Sequence, residues 1–310
     1  MNGLQIEHLT VRIPVSPHEI VHAATDVSLT VPAGTVTALV GESGCGKSIL
    51  AAAVMNMLPA HARSHGSITV TTGGSAVRIL PPHDHRANVR GRLTALVPQS
   101  PVTSLTPVRT ARSQLQETLD VLHSPKTCDE LAERVGLNPA DLDRYPHELS
   151  GGMAQRVVVA AAVAADPVVV VADEPTSQLD RALADHILAV LRALADEGAA
   201  VLLITHDLGA LLRTGIADTI AVSYASRIME VGPADDVLDD PWHDYTADLL
   251  AALPSRGLRS MPGSPPSLTN LPDDCVYHLR KPSTTFSGGP THLVTLGSRT
   301  VRTRRDRREL

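Results

Sequence analysis

Glycines at positions 41, 44 and 46, followed at once by Lys47 and Ser48, are the first residues in this chain whose spacing could do chemistry. Three glycines so close together let backbone N–H groups turn inward around a polyphosphate. Lys47 adds a point charge suited to β- and γ-phosphates, and the Ser48 hydroxyl is a hard oxygen donor suited to Mg²⁺. A second grouping, Asp173-Glu174, places two carboxylates side by side. An Asp here can hold a divalent cation through water, and an adjacent Glu can take a proton from an attacking water. A third, Ser150-Gly151-Gly152-Met153, is a small-residue start to an apolar run. It reads as a second phosphate-binding helix start, this one without a lysine. One chain with two such starts suggests two copies of a fold closing around shared nucleotides.

These residues need particular elements beneath them. Thr35 to Val40 is apolar and β-branched enough for a buried strand, and Ile49 to Leu58 is rich in Ala, Leu and Met and reads as a helix. Strand, glycine loop and helix in that order distinguish a P-loop from an ordinary Gly/Ser turn. Val168 to Ala172 is a short β-branched run that would deliver Asp173-Glu174 at its carboxyl end, where open α/β sheets present ligands. Further strands are predicted at Leu4 to Ile13, Val27 to Val31, Ile68 to Val70, Val77 to Leu80, Leu93 to Pro98, Ala199 to Thr205, Ala217 to Val222 and Ile228 to Val231. Helical patterns cover Val108 to His123, Cys128 to Val135, a segment after Ser150, and Asp180 to Ala195. The alternation argues for a mostly parallel sheet covered on both faces, with a helical insertion at about 100–165. After Pro254 the composition turns to Pro, Ser and Gly, marking a linker and an extension with little periodicity. His83-Asp84-His85 reads as a solvated loop, because nothing nearby offers further metal ligands.

At 310 residues, 43% of them hydrophobic, the chain can bury a sizeable core. Aromatics make up only 2%, so that core must be packed with Val, Ala and Leu, and platforms for stacking bases are scarce. A formal charge of −6 also argues against nucleic acid, although Arg299, Arg302, Arg304, Arg305, Arg307 and Arg308 make the end locally basic, read as a solvated or disordered tail. Three cysteines at 45, 128 and 275 show no paired spacing, which suits reduced thiols. The N-terminus has no signal-peptide pattern, and the most apolar window, Val157 to Ala172, is broken by Asp166-Pro167 into pieces too short to span a bilayer.

Taken together, these motifs resemble the ABC ATPase family over about residues 1–250. The family's Walker A matches Gly41 to Ser48, its Q-loop Gln99, its signature Ser150 to Met153, its Walker B Val168 to Asp173 with Glu174 as catalytic base, its D-loop Ser177 to Asp180, and its switch histidine His206. The resemblance implies an α/β P-loop NTPase of ABC type: a RecA-like mixed sheet core, an antiparallel β subdomain and an inserted helical subdomain, with a short irregular extension at 251–310. It implies ATP as ligand, held by the loop through Gly41, Ser43, Gly44, Cys45, Gly46, Lys47, Ser48 and Ile49 and by a facing Ser150-Gly151-Gly152-Met153. Ser48, Gln99 and Asp173 would serve Mg²⁺, and His206 would contact the γ-phosphate. It further implies head-to-tail pairing of two such domains, which drives membrane partners between inward- and outward-facing states.

Within the family the chain is similar to the ATP-binding subunits of oligopeptide, dipeptide and nickel importers. Met153, the segment Val97 to Pro107 around the Q-loop, Thr205 to Gly209, and Pro241 to Thr246 followed by Leu249-Leu250 carry that likeness. It implies two integral-membrane permease subunits, a second ATPase with the mixed pair favoured over two copies, an extracytoplasmic solute-binding protein acting indirectly, no nucleic acid, and a peripheral place on the cytoplasmic face of the inner or plasma membrane. Peptide uptake is the leading expectation and nickel or another small solute the alternative. A soluble ABC ATPase of DNA or the ribosome is less favoured, since those relatives usually have two such domains in one chain or long coiled-coil insertions. A catalytically silent partner is disfavoured by Lys47, Glu174 and His206. Two positions depart from the pattern. Some relatives hold an iron–sulfur cluster in the C-terminal arm, but Cys275 stands alone and Lys281 occupies the place of the next Cys, so no cluster is expected. Ile13 stands where the family usually stacks an aromatic on adenine, which predicts weaker nucleotide binding.

Overall fold

The structure, a computed structural model, describes residues 2–80, 89–177, 179–281 and 289–303. The loop at His83-Asp84-His85, Gln178 and the last arginines, Arg304 to Arg308, lie outside the described residues. In chain order the strands are β1 Gly3–Ser16, β2 Glu19–Pro32, β3 Val36–Val40, β4 Arg63–Thr72, β5 Ser75–Leu80, β6 Thr94–Val97, β7 Val169–Asp173, β8 Ala200–Thr205, β9 Thr219–Tyr224, β10 Arg227–Pro233, β11 His292–Leu296 and β12 Arg299–Thr303. The helices are α1 Lys47–Val54, α2 Pro101–Ser104, α3 Ala111–Leu122, α4 Cys128–Arg134, α5 Gly151–Ala162, α6 Arg181–Asp196, α7 Leu208–Thr214, α8 Ala234–Asp239, α9 Asp244–Ala251 and α10 Val276–Arg280. The chain divides into two compact units, one of residues 1–4, 31–36 and 69–204, the other of 5–30, 37–68 and 205–310.

In the first unit, β6, β7 and β8 run parallel, with Val97 beside Ala172 and Asp173 beside Ile204. Every residue of β8 and all but the last of β7 are buried, as expected of parallel strands covered on both faces. Between β6 and β7 the chain makes the helical insertion, in which α5 packs against α2, α3 and α4. Helix starts follow side-chain caps rather than the apolar pattern alone. α3 begins at Ala111 because Thr110 accepts from the Ser113 amide, and α4 begins at Cys128 because Thr127 and Glu130 form a reciprocal capping box. The Thr127 amide and hydroxyl together hold the Glu130 carboxyl below its ordinary range. Val108, expected inside α3, lies before the cap and is exposed.

In the second unit, β3 runs parallel to β9, with Val40 beside Val222. β10 pairs antiparallel with β9, and β12 antiparallel with both β10 and β11. A two-residue turn at 17–18 joins β1 to β2 as a hairpin. The end of the chain corrects the reading of a solvated basic tail at Arg299 and Arg302. Both side chains are buried in β12. Arg299 donates to Glu230 at 2.6 Å, and the Glu230 carboxylate also accepts from the backbone amides of Trp242 and His243. Arg302 donates through Nε to the Ile228 carbonyl at 2.7 Å, and burial together with nearby Arg227 lowers its pKa to about 10. A paired, hydrogen-bonded arginine can be buried where a free one cannot. The extension also runs beside β2: His22 donates to the Leu268 carbonyl and Asn270 to the Ile20 carbonyl. Three of the four tyrosines, Tyr224, Tyr245 and Tyr277, pack into one cluster here, with ring centroids 4.4 to 5.4 Å apart. Among the described residues, no helix is long and apolar enough to cross a membrane.

Candidate functional site

The P-loop leaves β3 at Gly41, and its course is dictated by close backbone approach. A Cβ on Gly41 would lie 2.1 Å from the Ser223 carbonyl, and one on Gly46 would lie 2.3 Å from the Ala23 carbonyl. Gly41, Gly44 and Gly46 all have positive φ, a region glycine enters without steric cost. Gly46 is the N-cap of α1 at φ 97° and supplies no side-chain cap. The first turn of α1 is therefore a helix start whose amides must find their partners elsewhere, the arrangement that suits an anion. The Lys47 side chain is buried and folds back into the loop, where its Nζ donates to the Gly41 carbonyl at 2.8 Å and the Glu42 carbonyl at 3.0 Å and lies 3.7 Å from Cys45 Sγ. Ser43, Gly44 and Ser48 are exposed, Ile49 is half-buried, and Cys45 is buried, which raises its thiol pKa. The Glu42 amide donates to the buried Tyr245 hydroxyl at 3.1 Å. This positions the loop from a residue that the sequence pattern marked only as part of a branch likeness.

In the first unit, the register of β6 on β7 places Gln99 and the Asp173-Glu174 pair beyond the same ends of neighbouring strands. Gln99 is exposed, and Asp173 and Glu174 are half-buried. Glu174 donates its amide to the Ile204 carbonyl of β8 at 2.9 Å and takes a left-handed backbone at φ 50°. A bulky non-glycine residue in that region marks strain of the kind that clusters at functional sites. Ser150 and Gly151 are exposed at the start of α5, where Ser150 Oγ accepts from the Met153 amide at 3.3 Å. Gly152 is buried, and a Cβ there would meet Leu183 Cδ2 at 1.8 Å. Asp180 caps α6 by accepting from the Leu183 amide at 3.0 Å.

His206 follows β8 and is exposed. Its neighbours fix it: the Thr205 hydroxyl accepts from the Asp207 amide, and Asp207 Oδ1 accepts from the Ala210 amide at the start of α7. Ile13 is half-buried on β1. The site residues thus assemble as two groups, Gly41 to Ile49 with His206 in the second unit, and Gln99, Ser150 to Met153, Asp173 and Glu174 in the first. Ser48 in the second unit offers a hydroxyl oxygen, and Gln99 and Asp173 in the first offer amide and carboxylate oxygens, each a hard donor of the kind that suits Mg²⁺. Cys275 is buried, with its sulfur 2.7 Å from His278 Nδ1.

Comparison with known proteins identifies the family. The ABC transporter family profile matches residues 24–177, and that of the oligopeptide/dipeptide transporter C-terminal region matches residues 229–285. Over 273 residues the chain is 40% identical to the oligopeptide transport ATP-binding protein AmiE of Streptococcus pneumoniae serotype 4, covering 83% of this chain and 76% of AmiE. It is 35% identical to the oligopeptide transport ATP-binding protein OppD of Haemophilus influenzae, covering 89% of this chain and 88% of OppD. Among solved structures, the ATP-binding cassette MJ0796 in a dimeric post-hydrolysis state bound to ADP and Pi superposes with a TM-score of 0.63 at 21% identity, covering 74% of this chain and 98% of that one, and so shares the fold. The chain belongs to the ABC transporter family, among its oligopeptide transport ATP-binding proteins.

Proposed function

We propose that this chain is the ATP-binding and ATP-hydrolysing subunit that powers a peptide importer, held peripherally at the cytoplasmic face of the membrane by two permease subunits and paired with a second ATPase. The observation that carries the reading is the start of α1: a helix without a side-chain cap, a buried lysine folded into its loop, and Gly41 and Gly46, where a Cβ would have no room, in a chain whose arm matches the peptide-transporter C-terminal region. Lys47 and the amides of Gly41 and of Ser43 to Ile49 bind the phosphates. Ser48, Gln99 and Asp173 are the residues that would hold Mg²⁺, which would neutralise charge on the phosphate oxygens when bound. Glu174 orients the attacking water and takes its proton, and His206 contacts the terminal phosphate. Ser150 to Met153 of one ATPase face the P-loop of the other. Catalysis of this kind is almost entirely positioning and electrostatic stabilisation, so nucleotide affinity and turnover are separable readouts.

Glu174→Gln is expected to keep ATP bound while turnover falls by at least about 100-fold. That variant, tagged and recovered with Mg-ATP from detergent-solubilised membranes, is expected to bring down two multi-span permeases and a second ATPase. Recovery of ribosomes or DNA-associated proteins with no permease would overturn the reading. Permeases whose binding protein takes nickel rather than peptide would change the substrate and leave the machine.

A further inference from the structure

Glu42, the second residue of the P-loop, is gripped from three directions. Its carbonyl accepts from Lys47, its amide donates to Tyr245, and its carboxylate meets the guanidinium of Arg280 as a two-pronged pair, Nη1 to Oε2 at 2.6 Å and Nη2 to Oε1 at 3.2 Å. The two residues lie 238 positions apart in sequence. Arg280 sits at the end of α10 in the C-terminal arm, with its side chain only 3% exposed and that of Glu42 21% exposed. Its remaining donors are also used: Nε donates to the Pro262 carbonyl at 2.5 Å and Nη2 to the Gly263 carbonyl at 3.4 Å, while the guanidinium carbon lies 5.8 Å from the centroid of the Tyr224 ring. The arm is held in turn. Arg227 donates to the carbonyls of Pro272 and Asp274, both at 2.7 Å, the Tyr277 hydroxyl donates to Asp248, and Lys281 reaches Asp248 at 2.6 Å. Burial works against a charged guanidinium here, and the Glu42 carboxylate with the Tyr224 hydroxyl more than offsets it, raising the Arg280 pKa.

A carboxylate in a loop built to hold a polyanion is a liability unless something neutralises it. We propose that Arg280 is a positioning residue for the nucleotide site: by neutralising and orienting Glu42 it lets the P-loop accept a polyphosphate, so that the C-terminal arm sets ATP affinity. The inference rests on the nucleotide-binding reading above. It differs from a purely structural tie in one respect, because removing the Glu42 charge should make Arg280 dispensable. Arginine is matched to the task, since its planar fork holds both carboxylate oxygens while lysine offers a single point charge.

The test is the affinity of the full-length chain for Mg-ATP by titration calorimetry, with thermal melting alongside. Arg280→Gln is expected to weaken ATP binding about tenfold and ADP binding less, since an unneutralised carboxylate repels the more highly charged nucleotide more strongly. Its loss should shrink as salt is raised. Glu42→Gln alone should bind within about twofold of the parent, and Glu42→Gln with Arg280→Gln should recover to within about threefold. If Arg280→Gln does not fold, Arg280→Lys, with and without Glu42→Gln, carries the same comparison with a smaller expected loss of about threefold. Unchanged ATP affinity in the Arg280 variant would overturn the inference, as would a double variant as weak as the single one. A parent chain that binds no Mg-ATP would overturn the proposed function together with this inference, whereas a binding parent with an indifferent Arg280 variant sinks this inference alone.

Discussion

The two glycine-bearing helix starts of this chain look alike in sequence and differ in how they are finished. At α5, Ser150 Oγ accepts from the Met153 amide, so the helix satisfies part of its own first turn. At α1, Gly46 supplies no side-chain cap, and a buried lysine folds back onto the loop carbonyls instead. The glycines differ too. A Cβ at Gly46 would meet a backbone carbonyl, whereas one at Gly152 would meet the end of a leucine side chain. A self-capped start with an exposed Ser150 and Gly151 is suited to completing a site assembled with another molecule. A start lacking a side-chain cap but carrying its own cation is suited to binding a nucleotide by itself.

The largest expected effect falls on the lysine. Lys47→Ala should weaken Mg-ATP binding by the full-length chain about 100-fold or more, as the loss of a charge-assisted contact to phosphate requires. A loss of similar size from Ser150→Ala in the same assay would erase the distinction between the two starts. Next come the paired glycines. Gly46→Ala meets the Ala23 carbonyl from a φ of 97° and should cost about 2–3 kcal/mol of stability together with ATP binding. Gly152→Ala meets a side chain that can rotate, so denaturant unfolding should show about 1 kcal/mol, with ATP affinity kept. Equal costs at the two positions would mean that Leu183 is as immovable as backbone.

A smaller gain is expected from Ile13→Tyr on β1, which offers adenine a ring to stack on. Stacking is worth about 1–3 kcal/mol, so the ATP KM should fall by about tenfold. An unchanged KM would remove Ile13 from the base-binding surface. The smallest nucleotide effect belongs to Ser150→Ala: about 1 kcal/mol of helix stability is lost with the cap, and calorimetry should find ATP affinity of the unpaired chain within twofold. Its consequence should show instead in turnover of the assembled transporter.

Local pattern carried much of the site. The glycine spacing, the β-branched runs of β3 and β7, and the helix starts at Ser150 and Asp180 are short-range features, and each lies within a residue or two of the element it marks. The arm was opaque for the opposite reason. Its composition of Pro, Ser and Gly has no period, and its order comes from partners far along the chain: residues 268–270 on β2, Arg227 on the carbonyls of Pro272 and Asp274, and Arg280 on Glu42. Arg299 and Arg302 read as surface charge because they belong to a locally basic cluster at 299–308. Their partners, Glu230 and the Ile228 carbonyl, lie on β10, beside which β12 adds.

What the sequence by itself determined is the chemistry: a phosphate loop with its lysine, carboxylates at the end of a β-branched strand, and a second helix start with glycines. Each follows from residue type and spacing, which the backbone must respect wherever the chain folds. What only the tertiary structure decided is which distant residues hold that chemistry in place, Tyr245 on the Glu42 amide and Arg280 on its carboxylate. A charge pair across 238 residues leaves no periodic trace in the sequence, and it becomes visible only when folding has brought the two groups together.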